Sequence, residues 1–222
     1  MASELDFTTL ARAAARLKVP TSDAELPALI TAASQALADW LGYEAHLREN
    51  VQETVPSEGG RVLFLRAGAV RRIVSVTVAG AEVPASEYFL ESPRYGRILN
   101  RRGGWPFTGQ WTDGVAPMPL RAHDTGEIVV TYDAGWRTPG QEALALAADP
   151  ASTLTSDLPA PLEEAALITL TALRSGAGRD PNVISRSIGG GSVTWAADRT
   201  AVPALAQQLA RPHHKSTRRK QS

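Results

Sequence analysis

The sequence predicts an α+β chain: a mainly helical core, a small antiparallel β-region inserted into it, and an extended C-terminal tail. Three observations carry this. Residues 22–43 repeat large apolar side chains at three- and four-residue intervals, the spacing of one helix face. From about Val51 the period shortens to β-rich runs separated by turn residues. The last twelve residues hold Arg211, Lys215, Arg218, Arg219 and Lys220 with no acidic residue among them. The expected boundaries are 1–50 and 134–210 for the helical core, 51–133 for the β-insertion and 211–222 for the tail.

A first helix is expected over residues 5–18, where Leu10, Ala13, Ala14 and Leu17 form a narrow apolar stripe. Val19-Pro20-Thr21 breaks it. The second helix carries Leu26, Leu29, Ile30, Ala33, Leu37, Trp40 and Leu41 on one face, with Ser22 and Glu25 at capping-box spacing. Gly42 is suited to the left-handed turn that ends it. Its large apolar side chains are worth roughly 1.5–3 kcal/mol each when fully buried, so another element must cover that face. Trp40→Ala is expected to behave as a large-to-small core change.

Five short runs then read as strands: residues 62–65, 73–78, 88–90, 98–99 and 127–132. Ala79-Gly80 marks a tight hairpin. Residues 101–119 are rich in Gly and Pro and contain Trp105, Phe107 and Trp111. These aromatics form either a contact surface or a lid folded back on the sheet. Residues 137–160 read as a loop with a short helical turn. A third helix opens at Asp157 or Pro159, and its apolar side chains cover much of its circumference, implying burial on more than one side. Residues 183–196 read as two short strands about Gly189-Gly190-Gly191. Residues 202–209 form a last short helix, and Pro212 prevents its simple continuation.

The formal charge sums to zero but is segregated. Residues 1–58 carry 4 basic and 9 acidic side chains, and residues 59–102 carry 8 and 3. Residues 103–178 carry 3 and 9, and residues 179–222 carry 8 and 2. Such blocks either neutralise one another within one fold or orient stacked or ring-forming subunits. With no cysteine, a disulfide framework and a thiolate nucleophile or metal site are excluded. No apolar run approaches the roughly eighteen residues of a membrane helix, so the reading is a soluble chain made in the cytoplasm with no membrane partner.

The search for chemistry finds no catalytic, metal or cofactor motif. His213 and His214 are adjacent rather than at the i,i+4 spacing of a helical metal site. Glu163 and Glu164 lie at a helix start, where carboxylates complement the helix dipole. The glycine turn, with Ser185, Arg186 and Ser187 before it, is either a hairpin turn or an anion cradle.

Residues 183–195, VISRSIGGGSVTW, follow closely on the helix LEEAALITLTALRS. This pairing resembles the C-terminal half of the head-to-tail connector, or adaptor, proteins of tailed bacteriophages. LARAAARLKV followed by LPALITAASQALADWLGY is similar to that family's opening helical hairpin. VTVAGAEVPASEYFLESPRYGRILN and EIVVTYDAGW are similar to its β-insertion. The resemblance lies in the order of these stretches along nearly the whole chain.

The resemblance implies a structural virion protein of the neck, assembled in the host cytoplasm, with no enzymatic activity and no cofactor. It implies a self-assembled ring, expected to be dodecameric, below the portal protein, with viral double-stranded DNA passing through. A tail-side stopper or tail terminator protein would bind the opposite face. The residues placed in these roles are Arg211, His213, His214, Lys215, Arg218, Arg219 and Lys220 for portal docking, and Ser185, Arg186, Ile188, Gly189 and Trp195 for the hairpin interface. Trp105, Phe107 and Trp111 are placed in the tail-side loop. A competing reading is a nucleic-acid-binding module using the basic tail with Arg71, Arg72, Arg101 and Arg102. A hydrolytic virion protein lacks a convincing carboxylate pair.

Overall fold

The computed structural model describes residues 3–108, 127–176, 185–188, 191–194 and 201–215. Within them lie five α-helices, two antiparallel sheets and a separate two-stranded hairpin. The class is α+β. Strands form a substantial share of it, so the chain is mixed rather than mainly helical. Two compact units divide the chain: residues 1–41 with 137–214, and residues 42–136 with 215–222.

The first unit is helical. Helix α1 (Leu10–Leu17) is shorter than expected, because residues 3–8 are held out of it by hydrogen bonds to Asp6 and to the side chains of Thr31 and Ser34. Asp6 accepts from the Ser3 N–H at 2.8 Å and from the Thr31 hydroxyl at 2.7 Å, and the Phe7 N–H donates to Ser34 Oγ at 2.9 Å. Phe7 is thereby buried. Burial raises the Asp6 carboxyl above its ordinary range against both of these hydrogen bonds. Thr9 caps α1, and Lys18 closes it in a left-handed conformation.

Helix α2 (Leu26–Leu41) buries Leu26, Ile30, Ala33, Leu37 and Leu41, as the spacing predicts. The expected capping box is replaced by a turn in which Asp23 Oδ1 accepts from the Glu25 N–H at 2.9 Å. Trp40 is half-buried instead of lying in the core, with its ring against His214 at 4.7 Å.

Helix α3 (Pro139–Ala148), at ten residues, extends the short helical turn expected within the loop over 137–160. Thr138 and Gln141 form a complete capping box, with Pro139 in the first turn, where a missing N–H costs least. Helix α4 (Ala160–Gly176) packs against α1, α2 and helix α5 (Ala204–Ala210). That accounts for its wide apolar circumference. Ala13 and Ala14 of α1, Leu26, Ile30 and Ala33 of α2, and Leu167 and Leu170 of α4 make one core. At its edge, Arg12 and Arg16 pair with Glu163 and Glu164 at 2.5 and 2.8 Å, and Arg174 pairs with Asp23 and Glu25. Each exposed pair adds at most about 1 kcal/mol, so apolar burial holds the helices together.

The second unit is β. A four-stranded sheet runs in the order β1 (Arg48–Thr54), β7 (Ile128–Ala134), β3 (Val70–Val78), β4 (Ala81–Glu82). A three-stranded sheet runs β2 (Val62–Phe64), β6 (Arg97–Asn100), β5 (Tyr88–Ser92). Every pairing in them is antiparallel. Val76, Ile128, Val130 and Tyr132 from the first sheet share a core with Leu63, Ile98 and Tyr88 from the second. The β3–β4 turn is the expected hairpin: Ala79 and Gly80 both have positive φ, at 51° and 80°.

Candidate functional site

The C-terminal root begins where α5 gives way to a 3-10 turn over Arg211–His213. Pro212 sits inside this turn, so the helical path tightens rather than stopping at Arg211. His214 lies against Trp40 in the helical unit. Lys215 belongs to the β-unit. Its Nζ donates to the carbonyl oxygens of Leu65, Arg66 and Ala67 at 2.5, 3.0 and 2.7 Å. Burial holds the Lys215 ammonium below the ordinary lysine range, with Glu53 opposing the shift. Arg218, Arg219 and Lys220 lie outside the described residues.

The expected hairpin is present as β8 (Ser185–Ile188) paired with β9 (Gly191–Thr194). Ser185 faces Thr194, Arg186 faces Val193 and Ile188 faces Gly191 in register. Gly189 and Trp195 lie outside the described residues.

The aromatic stretch separates into different environments. Trp105 is 3% exposed and packs in the β-core, with its ring 6.4 Å from that of Tyr88. Its backbone N–H donates to the Gly60 carbonyl at 2.8 Å. Gly104 is required beside it, because a Cβ there would sit 2.2 Å from the Gly59 carbonyl oxygen. Trp105 therefore takes the fold-back alternative, not that of an exposed contact. Phe107 is half-buried and forms an isolated bridge with Glu58. Trp111 lies outside the described residues.

Of the arginines of the nucleic-acid reading, Arg71 and Arg72 lie on β3 and Arg101 and Arg102 follow β6. On β3, Arg72 is paired with Asp133 at 2.5 Å. Beyond β6, Arg102 pairs with Glu87 at 3.1 Å and Arg101 lies over the Phe89 ring at 4.6 Å. Arg72 and Arg102 are thus each paired with a carboxylate of the chain.

Reading the sequence misses a polar cluster behind Lys215. Glu53, on β1, accepts from the Tyr132 hydroxyl at 2.7 Å and from the Arg66 N–H at 3.0 and 3.1 Å. Burial, then the carboxylate of Glu53, pushes the Tyr132 phenol up. The available signal was an acidic residue at an alternating position between Val51 and Val55, which disguised an inward-facing strand position as a solvent-facing one. Among the described residues no group of three or more His, Cys, Asp or Glu is placed to hold a metal ion. None of the helices described is long and apolar enough to cross a membrane.

A family described as "Head completion protein" matches residues 8–149. No curated protein matches the chain. Among solved structures, the fold is similar to a chain from the "Virion of native gene transfer agent (GTA) particle". That likeness has a TM-score of 0.51 and 14% identity over 97% of this chain and 93% of the other. A chain from the "Neck of empty GTA particle computed with C6 symmetry" aligns with a TM-score of 0.50 and 16% identity, again over 97% and 93%. The family match spans α1, α2, strands β1 to β7 and α3, well over half of the sequence. By that match the chain belongs to the head completion protein family.

Proposed function

We propose that this protein is a structural head-to-tail adaptor of a virion neck, forming a ring between portal and tail that leaves a passage for double-stranded DNA. The family match over residues 8–149 is the observation that carries this reading. The fold likeness along nearly the full chain to proteins from a gene transfer agent virion and neck supports it. In this reading the β8–β9 hairpin and the C-terminal tail face the portal. The β-unit, through the segment beyond Phe107, faces a stopper or tail terminator protein. Twelve copies are expected, as the resemblance of the sequence implies. The helical core at 1–50 and 134–210, with its β-insertion at 51–133, is the repeating subunit of the ring. Its role is mechanical and needs no catalysis and no cofactor.

The charge blocks support oriented self-association templated by the portal, with the free chain monomeric at low concentration. Mass measured in solution with and without portal tests this. A dodecameric increment on the portal is the expected result, and persistent monomers in its presence would refute ring assembly. Raised salt should weaken self-association if charge orients it, whereas strengthening would indicate a mainly apolar interface. The nucleic-acid alternative has weaker support, since Arg72 and Arg102 are neutralised by Asp133 and Glu87. It would require log affinity to fall with log salt by about 0.9 per phosphate contacted.

A further inference from the structure

We propose that the backbone carbonyls of Leu65, Arg66 and Ala67 form a binding site selective for a primary ammonium, and that its ligand is Lys215 of the same chain. The inference rests on the proposed portal role only in what it says of the tail: Lys215, engaged within its own chain, is not among the residues that reach a partner.

The cradle is built, not incidental. Three successive carbonyl oxygens converge on Nζ at 2.5–3.0 Å, matching the three hydrogens of an ammonium one for one. Turning successive carbonyls to one point requires an irregular backbone, and this one is held on several sides. The Arg66 N–H is pinned by both oxygens of Glu53. Because the N–H and C=O of one trans peptide point in opposite directions, that grip aims the Leu65 carbonyl away from Glu53 and towards Lys215.

Beneath the loop, Gly96 stands at φ +60°, where a Cβ would lie 2.7 Å from the Ala67 oxygen. The Leu65 N–H donates to the Gly96 carbonyl at 2.9 Å. Gly68 lies so close to the Tyr43 ring that a Cβ would come within 2.7 Å of it.

The geometry also selects. An ammonium presents three hydrogens in a tripod from one atom, whereas a guanidinium spreads five in a plane and suits forked carboxylates. Carbonyl partners carry no formal charge, so the compensating negative charge comes from Glu53 behind the peptide. Arg66 is the cation nearest in sequence, but its side chain is 90% exposed and makes only a long ion pair, with its Nε 3.9 Å from Glu53 Oε1.

The experiment uses the isolated full-length chain, independently of any portal assay, so either idea can fail alone. The chain has only three lysines, Lys18, Lys215 and Lys220. Nitrogen-15 spectra of the side-chain ammonium groups can therefore be assigned by substitution. The expected result is one ammonium whose protons exchange with water at least about tenfold more slowly than the other two, lost in Lys215→Met. Three alike exchange rates, or a protected signal that survives Lys215→Met, would overturn the site. Amide exchange at Arg66 is the second readout: Lys215→Arg should lose protection as Lys215→Met does. Full protection in the arginine variant would show a general cation site and refute ammonium selectivity.

Discussion

The Asp133 carboxylate on β7 accepts the backbone N–H of Asn50 on β1 at 2.8 Å, where β1 bulges between Arg48 and Val51. Asn50 sits there at a positive φ of 54°. A bulge leaves one residue outside the ladder, and here a buried carboxylate from the neighbouring strand holds the displaced N–H.

This relationship sets an acid limit on the β-unit. Burial by itself would raise the Asp133 carboxyl, but the Asn50 N–H and the Arg72 guanidinium outweigh it and hold the group below its ordinary value of 3.8. A depressed folded-state value contributes stability above about pH 3.8 that is lost as pH falls through the lower folded value. Asp133→Asn should cost roughly 0.5–1.5 kcal/mol at neutral pH. The difference from wild type should shrink below pH 3.8. Urea titrations at pH 7 and pH 3 check both, and an equal deficit at the two values would remove the charge from the explanation.

In the helical unit, Leu37 and Trp40 should exchange the importance that the sequence gives them. Leu37 is wholly buried, so Leu37→Ala should cost about 2–5 kcal/mol. Trp40 is half-buried against His214, and Trp40→Ala should cost clearly less, on the order of 1–2 kcal/mol. Chemical denaturation of both variants decides the order. A Trp40 loss at or above that of Leu37 would return the ring to the core.

Elements with strong apolar periodicity were legible, and those held by polar or backbone groups were not. The α2 face, the α4 circumference, the Ala79-Gly80 turn and the β8–β9 hairpin all follow from side-chain pattern. Strand β1 reads RENVQET because Glu53 points inward to Tyr132, which breaks the apolar alternation. The full length of helix α3 hid in an Ala- and Pro-rich stretch, although Thr138 and Gln141 already stood at capping-box spacing. The anchoring of Lys215 was not legible at all, since its partners are backbone carbonyls, which any sequence has. The burial of Trp105 was one of the two alternatives the sequence left open, and the close approach of Gly59 and Gly104 beside it belongs to that fold-back.

Ala79 offers a gain in stability. A left-handed conformation costs a residue with a Cβ roughly 1 kcal/mol, and Asn tolerates it better in this kind of hairpin turn. Ala79→Asn or Ala79→Gly should therefore raise stability by about 0.5–1 kcal/mol, measured as a higher denaturant midpoint. A lower midpoint in both would mean that the turn is held by something other than its local conformation.

Two truncations separate the anchored part of the C-terminal tail from the part proposed to meet the portal. A chain ending at Lys215 keeps the 3-10 turn, the His214–Trp40 contact and the three carbonyl bonds. It removes Arg218, Arg219 and Lys220, so its melting temperature should match that of the full chain while portal capture is lost. A chain ending at Ala210 also gives up the anchors. Neutral hydrogen bonds are worth about 0.5–1.5 kcal/mol each and those to a charged group more, so the loss should exceed 1 kcal/mol even after solvent compensates the freed carbonyls. For a domain of this size that corresponds to at least about 2–4 °C in melting temperature. Pull-down of portal by the three chains, with melting curves alongside, gives both readouts. Portal capture by the chain ending at Lys215 would move the contact to Arg211, His213 and His214, and capture by the chain ending at Ala210 would move it to the β8–β9 hairpin. An unchanged melting temperature on cutting at Ala210 would show that the anchors contribute nothing to the folded state.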